Sequence, residues 1–211
     1  MAAITGLAAG ILFAVGNAIW GLDMPKDGAP VAEVLSFYDE TADRIVIGGS
    51  ISLISIGLFA VFAAAFREVL VERGVDAALA NVVLVGGAMG AAIGVGAEGI
   101  NLMAALRAQD GDLTPALGQS LFEISQFFGS AGAGIAMGVF AVATGAATWR
   151  TPGVLPRWVA AFCIVVGLVL LTPLAHINVV AGIALIVLSI EIPLQLLRRR
   201  EPGAQPAAAP L

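Results

Sequence analysis

Long apolar stretches that carry almost no charge constrain this chain more than any other feature. Segments 4–22, 45–66, 77–107 and 115–149 each hold 19 residues or more and at most two ionisable side chains. A helix needs about 20 apolar residues to cross the hydrocarbon of a bilayer, and its backbone hydrogen bonds are satisfied within the segment. The sequence therefore predicts an all-α, polytopic transmembrane helix bundle.

The composition favours the same class. Of the 211 residues, 59% are hydrophobic and 12% are charged, whereas soluble domains carry about 25% charged residues. A soluble domain of this length could not remove so much apolar surface from water. With a formal net charge of −5, the predicted partner is the lipid bilayer, and nucleic acid is not expected as a partner.

Two further spans are predicted near the C-terminus. Residues 158–197 contain a single charged side chain, Glu191, and one helix of that length would be about 60 Å long, twice the hydrocarbon thickness. The pair Thr172-Pro173 predicts a break, which leaves spans at 158–172 and 177–197. Residues 1–200 then form one bundle of six spans, and the Pro/Ala-rich tail at 201–211 is predicted to be disordered.

A short amphipathic helix is predicted between the first two spans. At 30–43, the side chains of Val31, Val34, Leu35 and Tyr38 share one helical face, and the acidic residues lie largely away from it. We expect this helix to lie on the outer surface of the membrane.

The basic residues orient the bundle. With six spans, seven of the ten fall in the even loops and the tail, and Lys26, Arg44 and Arg107 fall in the odd loops. Positive residues concentrate on the cytoplasmic side of membrane proteins. We therefore predict a multi-pass protein of the plasma membrane with both termini in the cytoplasm. Trp20, Trp149 and Trp158 stand at span ends, as in an interfacial aromatic belt.

Polar residues inside spans are costly and mark candidate sites. Gly87, Ala91, Gly94, Glu98 and Asn101 recur every three or four residues, which places them on one stripe of small residues along the third span. Such a stripe packs against another helix, so Glu98 and Asn101 should face the bundle interior.

Several spans contribute polar side chains at a similar depth near the outer leaflet. The predicted binding residues are Asn17, Arg44, Asn101, Gln126, His176 and Asn178. Glu98 and Glu123 are the candidate catalytic residues if the protein is an enzyme. A structural alternative stays open, because Glu98 could pair with Arg44 or Arg107 and Glu123 could reach interfacial water.

Other catalytic and cofactor signatures do not occur. The single histidine, His176, excludes H-E-x-x-H and any multi-histidine metal site. Neither a phosphate-binding G-x-x-x-x-G-K-[ST] loop nor a G-x-S-x-G elbow is present. No metal and no cofactor are predicted.

Two segments, VLSFYDETADRI at 34–45 and LPRWVAAFCIVVGLVLLTP at 155–173, carry a family resemblance. Together with the layout of spans between them, they resemble a group of small, uncharacterised multi-span membrane proteins of GC-rich actinobacteria. The resemblance covers most of 1–197. It implies the same membrane topology and no particular activity.

Three functions fit these observations. The first is a non-enzymatic protein that binds a lipid-like or small amphiphilic molecule, or a partner helix, in an outer-leaflet polar pocket. The second is an intramembrane acid–base enzyme on a hydrophobic substrate, of isoprenoid cyclase or isomerase type, in which a buried carboxyl donates the proton. The third is an accessory subunit of a transporter.

The six-span topology predicts which positions a membrane-impermeant thiol reagent reaches. In intact cells, Asp110→Cys should be labelled, because 110 lies in an outer loop. Arg73→Cys, Gly153→Cys and Gln205→Cys should be protected until the membrane is opened. Labelling of the residue-205 variant in intact cells would contradict the six-span count.

Overall fold

A computed structural model describes residues 2–172 and 190–197, and all regular secondary structure in this part of the chain is helical. In chain order the helices are α1 (Ala2–Trp20), α2 (Val31–Glu72), α3 (Ala77–Gln109), α4 (Pro115–Phe127), α5 (Ala133–Arg150), α6 (Arg157–Leu170) and a last helical stretch at 190–197. A 3₁₀ turn (Gly21–Asp23) follows α1, and a π-helical turn (Phe128–Gly132) joins α4 to α5.

Four helices are long and apolar enough to cross a membrane by length and composition. They are Ala2–Asp23, Val31–Glu72, Ala77–Gln109 and Pro115–Arg150. They contain the first four predicted spans, so the helices fit a multi-pass membrane protein.

The predicted fifth and sixth spans are described only in part. Helix α6 is apolar but has 14 residues, and it ends at Leu170, just before the predicted break at Thr172. Of the predicted span 177–197, the structure describes 190–197. His176, Asn178 and the tail at 201–211 lie outside the described residues.

The amphipathic segment at 30–43 is not the separate surface helix that the sequence predicts. It forms the first turns of α2, which runs unbroken for 42 residues, about 63 Å. Val34 and Tyr38 are fully buried, and they belong to a cluster at the end of the bundle where α1 ends and α4 begins, which also contains Trp20, Leu121 and Phe122. The apolar face therefore packs on protein, because α3 and α4 extend far enough to cover it.

Two helix starts follow from local sequence. Asp76 caps α3, and its side chain accepts hydrogen bonds from the backbone N–H groups of Ala78 and Leu79 at 3.0 and 3.2 Å. Thr114-Pro115, a capping residue followed by a proline that suits the first helical turn, predicts the start of α4, and Thr114 Oγ1 lies 3.4 Å from the backbone nitrogen of Leu117. Each side chain satisfies donors that the first helical turn leaves open.

Glycines set how closely the helices approach. A Cβ at Gly86 of α3 would lie 2.7 Å from the backbone nitrogen of Phe140 in α5, and one at Gly145 of α5 would lie 2.6 Å from the carbonyl oxygen of Ala160 in α6. On the predicted stripe, a Cβ at Gly87 would lie 2.6 Å from Cβ of Ala63. The stripe packs on α2 as predicted, most tightly at Gly87.

A pair of glycine substitutions on α3 tests this packing. Gly86→Ala should lower thermal stability, because the new methyl group collides with the Phe140 backbone, which cannot move without displacing α5. Gly96→Ala is the matched control, since a Cβ there meets nothing within 4 Å and alanine favours a helix over glycine by about 0.5–1 kcal/mol. Equal melting temperatures for the two variants would contradict the close approach of α3 and α5.

Candidate functional site

A pocket of about 220 Å³ lies between the cluster around Tyr38 and Trp20 and a second cluster of buried apolar side chains that contains Phe59, Phe62 and Phe140. Helices α1, α2, α3 and the α4–α5 junction all contribute to its wall. Its apolar part is formed by Phe13, Ile56, Phe59 and Met137. Its polar part is formed by the side chains of Asn17, Trp20, Ser55, Glu98, Asn101, Ser125, Gln126 and Ser130.

Glu98 is the ionisable side chain of this wall, and no other described residue of the wall is ionisable. It is 8% exposed, and its Oε2 has no hydrogen-bond partner among the described residues. The side chain reaches toward α2 at Gly49, where a Cβ would lie 3.6 Å from Oε2. The carboxyl group of Glu98 therefore lies directly beside α2, at van der Waals distance from where a Cβ of residue 49 would be.

Trp20 contributes a second unpaired polar atom. The ring is 4% exposed, and its Nε1 is buried without an acceptor in the described part of the chain. The ring packs beside Phe37, with ring centroids 6.4 Å apart, and over Gly48, where a Cβ would lie 2.7 Å from the Trp20 Cδ1. Gly48 and Gly49 thus bring the indole and the carboxyl group against adjacent residues of α2.

Asn101 is held in place by a buried hydrogen bond. Its Oδ1 accepts from the hydroxyl of Tyr38 at 3.1 Å, and Tyr38 is fully buried. This bond ties α2 to α3 directly beside the pocket. Asn101 therefore fixes the wall, one helical turn from Glu98.

Asn17 and Gln126 complete the polar wall from opposite helices. Asn17 Nδ2 donates to the carbonyl oxygen of Phe13 at 2.9 Å and lies 3.5 Å from the Ser52 hydroxyl. Gln126 Nε2 lies 2.9 Å from the sulfur of Met24. Both side chains are partly buried and line the pocket, as the sequence predicts for a shared polar layer.

The π-helical turn between α4 and α5 forms part of the pocket wall. Its residues Gly129 and Ser130 line the pocket, and the Ser130 hydroxyl donates to the carbonyl oxygen of Gln126 at 2.6 Å. A π-helical turn inserts an extra residue into a helix and occurs frequently at functional sites. Residues on both sides of the turn, Gln126 before it and Met137 after it, line the same pocket as Glu98.

Two of the predicted site residues lie elsewhere. Arg44 is half-exposed, and its Nη1 pairs with Asp23 at 2.7 Å. Glu123 is exposed and accepts a hydrogen bond from Gln119 at 2.7 Å. Neither residue lines the pocket, because both are on the outward side of their helices.

Glu98 has no ion-pair partner within 2–172 and 190–197, so its structural interpretation as half of an ion pair is not supported there. Arg44 is bonded to Asp23, and Arg107 is exposed. Glu191, the carboxylate of the last helical stretch, accepts a hydrogen bond from Gln195 at 2.7 Å.

Trp20 lines the pocket, although its place at a span end predicts a ring in an interfacial belt. Trp149 and Trp158 are exposed. Trp20 is buried instead, because the extended α2 covers it. The available signal was the spacing of Phe13, Asn17 and Trp20, which places the three on one face of α1.

The described wall combines apolar side chains with uncharged polar ones and a single carboxyl group, that of Glu98. Within the described residues, no group of three or more His, Cys, Asp or Glu side chains could hold a metal ion. The arrangement can bind an apolar body and hydrogen-bond or pair with one polar head.

No protein-family model, curated protein or solved structure matches the chain.

Proposed function

We propose that this protein is a non-enzymatic integral membrane protein that binds a lipid-like or small amphiphilic molecule in the pocket around Glu98. The observation that carries the proposal is the buried carboxyl group of Glu98 in a pocket wall whose other described polar side chains are uncharged; its Oε2 has no hydrogen-bond partner within 2–172 and 190–197. A buried polar atom without a partner costs about 1–3 kcal/mol. A ligand that supplies a partner to this carboxyl group offsets the cost.

The rest of the wall suits the apolar part of such a ligand. Phe13, Ile56, Phe59 and Met137 come from three different helices and present carbon atoms to the pocket. Ligand pockets commonly pair an apolar wall with a few fixed polar groups. Asn101, anchored by Tyr38, is such a fixed group.

The proposed setting is the plasma membrane, with six spans and both termini in the cytoplasm. Helix α6 and the helical stretch at 190–197 would belong to the fifth and sixth spans, which the distribution of basic residues requires for a cytoplasmic C-terminus. The pocket then lies toward the outer leaflet, at the end of the bundle where α1 ends and α4 begins.

An intramembrane acid–base enzyme is the second candidate, because Glu98 is unpaired, buried and at the wall of a pocket with an apolar floor. With Glu123 outside the pocket, Glu98 alone would give a proton to a hydrophobic substrate and take one back, as an isomerisation requires. Conversion of an added isoprenoid olefin, abolished in Glu98→Gln, would establish this function.

A partner helix or a role as transporter subunit is favoured less, since the pocket is sized for a small molecule.

Filling the pocket tests the binding proposal. Gly129 lines the pocket, and a Cβ there would have its nearest neighbour, Cβ of Ala97, at 3.8 Å, so Gly129→Leu should enter free space without breaking the fold. We expect native mass spectrometry of the purified wild-type protein to detect a noncovalent small-molecule adduct that Gly129→Leu lacks.

Gly96→Leu is the control for that measurement, because position 96 is exposed on α3 and does not line the pocket. It should retain the adduct of the wild type. An adduct equally abundant in all three proteins, or missing from all three, would count against a pocket that binds an amphiphile.

A further inference from the structure

We infer that the ligand's polar head carries a positive charge, which pairs with the carboxylate of Glu98. The inference rests on the proposed binding function and adds the chemical class of the ligand. It starts from two observations on the described residues. No basic side chain pairs with Glu98, and Glu98 Oε2 accepts no hydrogen bond.

Each helix that packs around Glu98 presents uncharged groups to it. Helix α1 contributes Asn17 and Trp20, α2 contributes Ser55, and the α4–α5 junction contributes Ser125, Gln126 and Ser130. These groups can hydrogen-bond, but they cannot neutralise a carboxylate.

The charged groups closest along those helices are committed elsewhere or face away. Arg44 on α2 is bonded to Asp23, and Glu123 on α4 is exposed and bonded to Gln119. Arg107 on α3 is exposed, and α1 has no ionisable side chain. Within 2–172 and 190–197, no basic side chain is therefore placed to pair with Glu98, and the cationic head group of a ligand can take that position.

The surface at the same end of the bundle also favours a cation. The loops and helix ends there carry eight acidic and three basic residues, an excess of five negative charges: Asp23, Asp27, Glu33, Asp39, Glu40, Asp43, Asp110 and Asp112 against Lys26, Arg44 and Arg107. A field of one sign concentrates ions of the opposite sign near a pocket. Met24, which lines the pocket, directly follows Asp23 in this acidic surface.

The aromatic rings on the wall suit a cationic head as well. Trp20, Phe13 and Phe59 line the same pocket as Glu98. Aromatic faces attract cations, and tryptophan attracts them most strongly. Quaternary ammonium groups are bound in this way, so a compact organic cation with an apolar body matches both the carboxylate and the rings.

A matched pair of probes separates charge from shape. Benzyltrimethylammonium is a permanent cation, and neopentylbenzene is its neutral counterpart with carbon in place of nitrogen. The protein is purified in maltoside micelles, whose head groups are uncharged. Trp149→Phe and Trp158→Phe, both at exposed positions, leave Trp20 as the fluorescent reporter inside the pocket.

We expect the cation to shift Trp20 emission at a concentration about tenfold or more below that of the neutral probe, because a charge-assisted contact is stronger than an apolar one of the same shape. Glu98→Gln should remove that preference and leave binding of the neutral probe unchanged. Acid should weaken binding of the cation alone, because protonation removes the charge of Glu98 while the probe keeps its own.

Equal affinity for the two probes, or a preference for the cation that persists in Glu98→Gln, would overturn the inference and leave the binding pocket standing. Binding of neither probe would overturn both the inference and the proposed function. Gly129→Leu in the same background should bind neither, which shows that the signal comes from the pocket.

Discussion

The close crossing of α1 and α2 at Gly16 and Gly48 is the contact on which the candidate site depends. A Cβ at Gly48 would lie 2.5 Å from the carbonyl oxygen of Gly16, so the two backbones touch. Small residues permit such contact between membrane helices. The crossing brings the Trp20 ring over Gly48, and the carboxyl group of Glu98 lies beside the next residue, Gly49. The position of the Trp20 ring thus depends on the glycine at 48.

Tight packing elsewhere keeps that space from closing. Glycine contacts hold α3 against α5 and α5 against α6, and the Tyr38–Asn101 hydrogen bond holds α2 to α3. With its helices fixed at these points, the bundle cannot collapse around Glu98 without losing contacts made elsewhere. An unpaired carboxyl group and an unpaired indole N–H can then persist, because their cost is small beside the packing that surrounds them. Strain of this kind is common where a protein binds a ligand.

Much of the architecture could be predicted from the sequence, for physical reasons that particular segments illustrate. Apolar stretches at 4–22, 45–66, 77–107 and 115–149 predicted four long helices, because hydrophobic length and charge are read directly from composition. Thr114-Pro115 predicted a helix start, since capping depends on local chemistry. The spacing of Gly87, Glu98 and Asn101 predicted an inward face of α3, and both polar residues are buried there.

The contacts of individual side chains with other helices could not be predicted, because the periodicity of one helix does not show which neighbours cover it. Segment 30–43 has the pattern of a surface helix, yet Tyr38 is buried, because α3 and α4 happen to extend beside it. Arg44 was at a depth suited to Glu98, but its direction on α2 brings it to Asp23. Trp20 stands at the end of an apolar span, as a tryptophan at the membrane surface does. Only the packing of α2 against α1 places its ring in the pocket wall.

The central claim is that Glu98 does not pair with Arg44 or any other basic side chain of 2–172 and 190–197, and a double-mutant cycle between Glu98 and Arg44 tests it most directly. The thermal unfolding of Glu98→Gln, Arg44→Gln and the double variant would be compared with that of the wild type in ligand-free detergent. We expect that Glu98→Gln does not lower the melting temperature and that the two substitutions act additively, since Arg44 is bonded to Asp23. A clear loss of stability in Glu98→Gln that Arg44→Gln partly restores would contradict it.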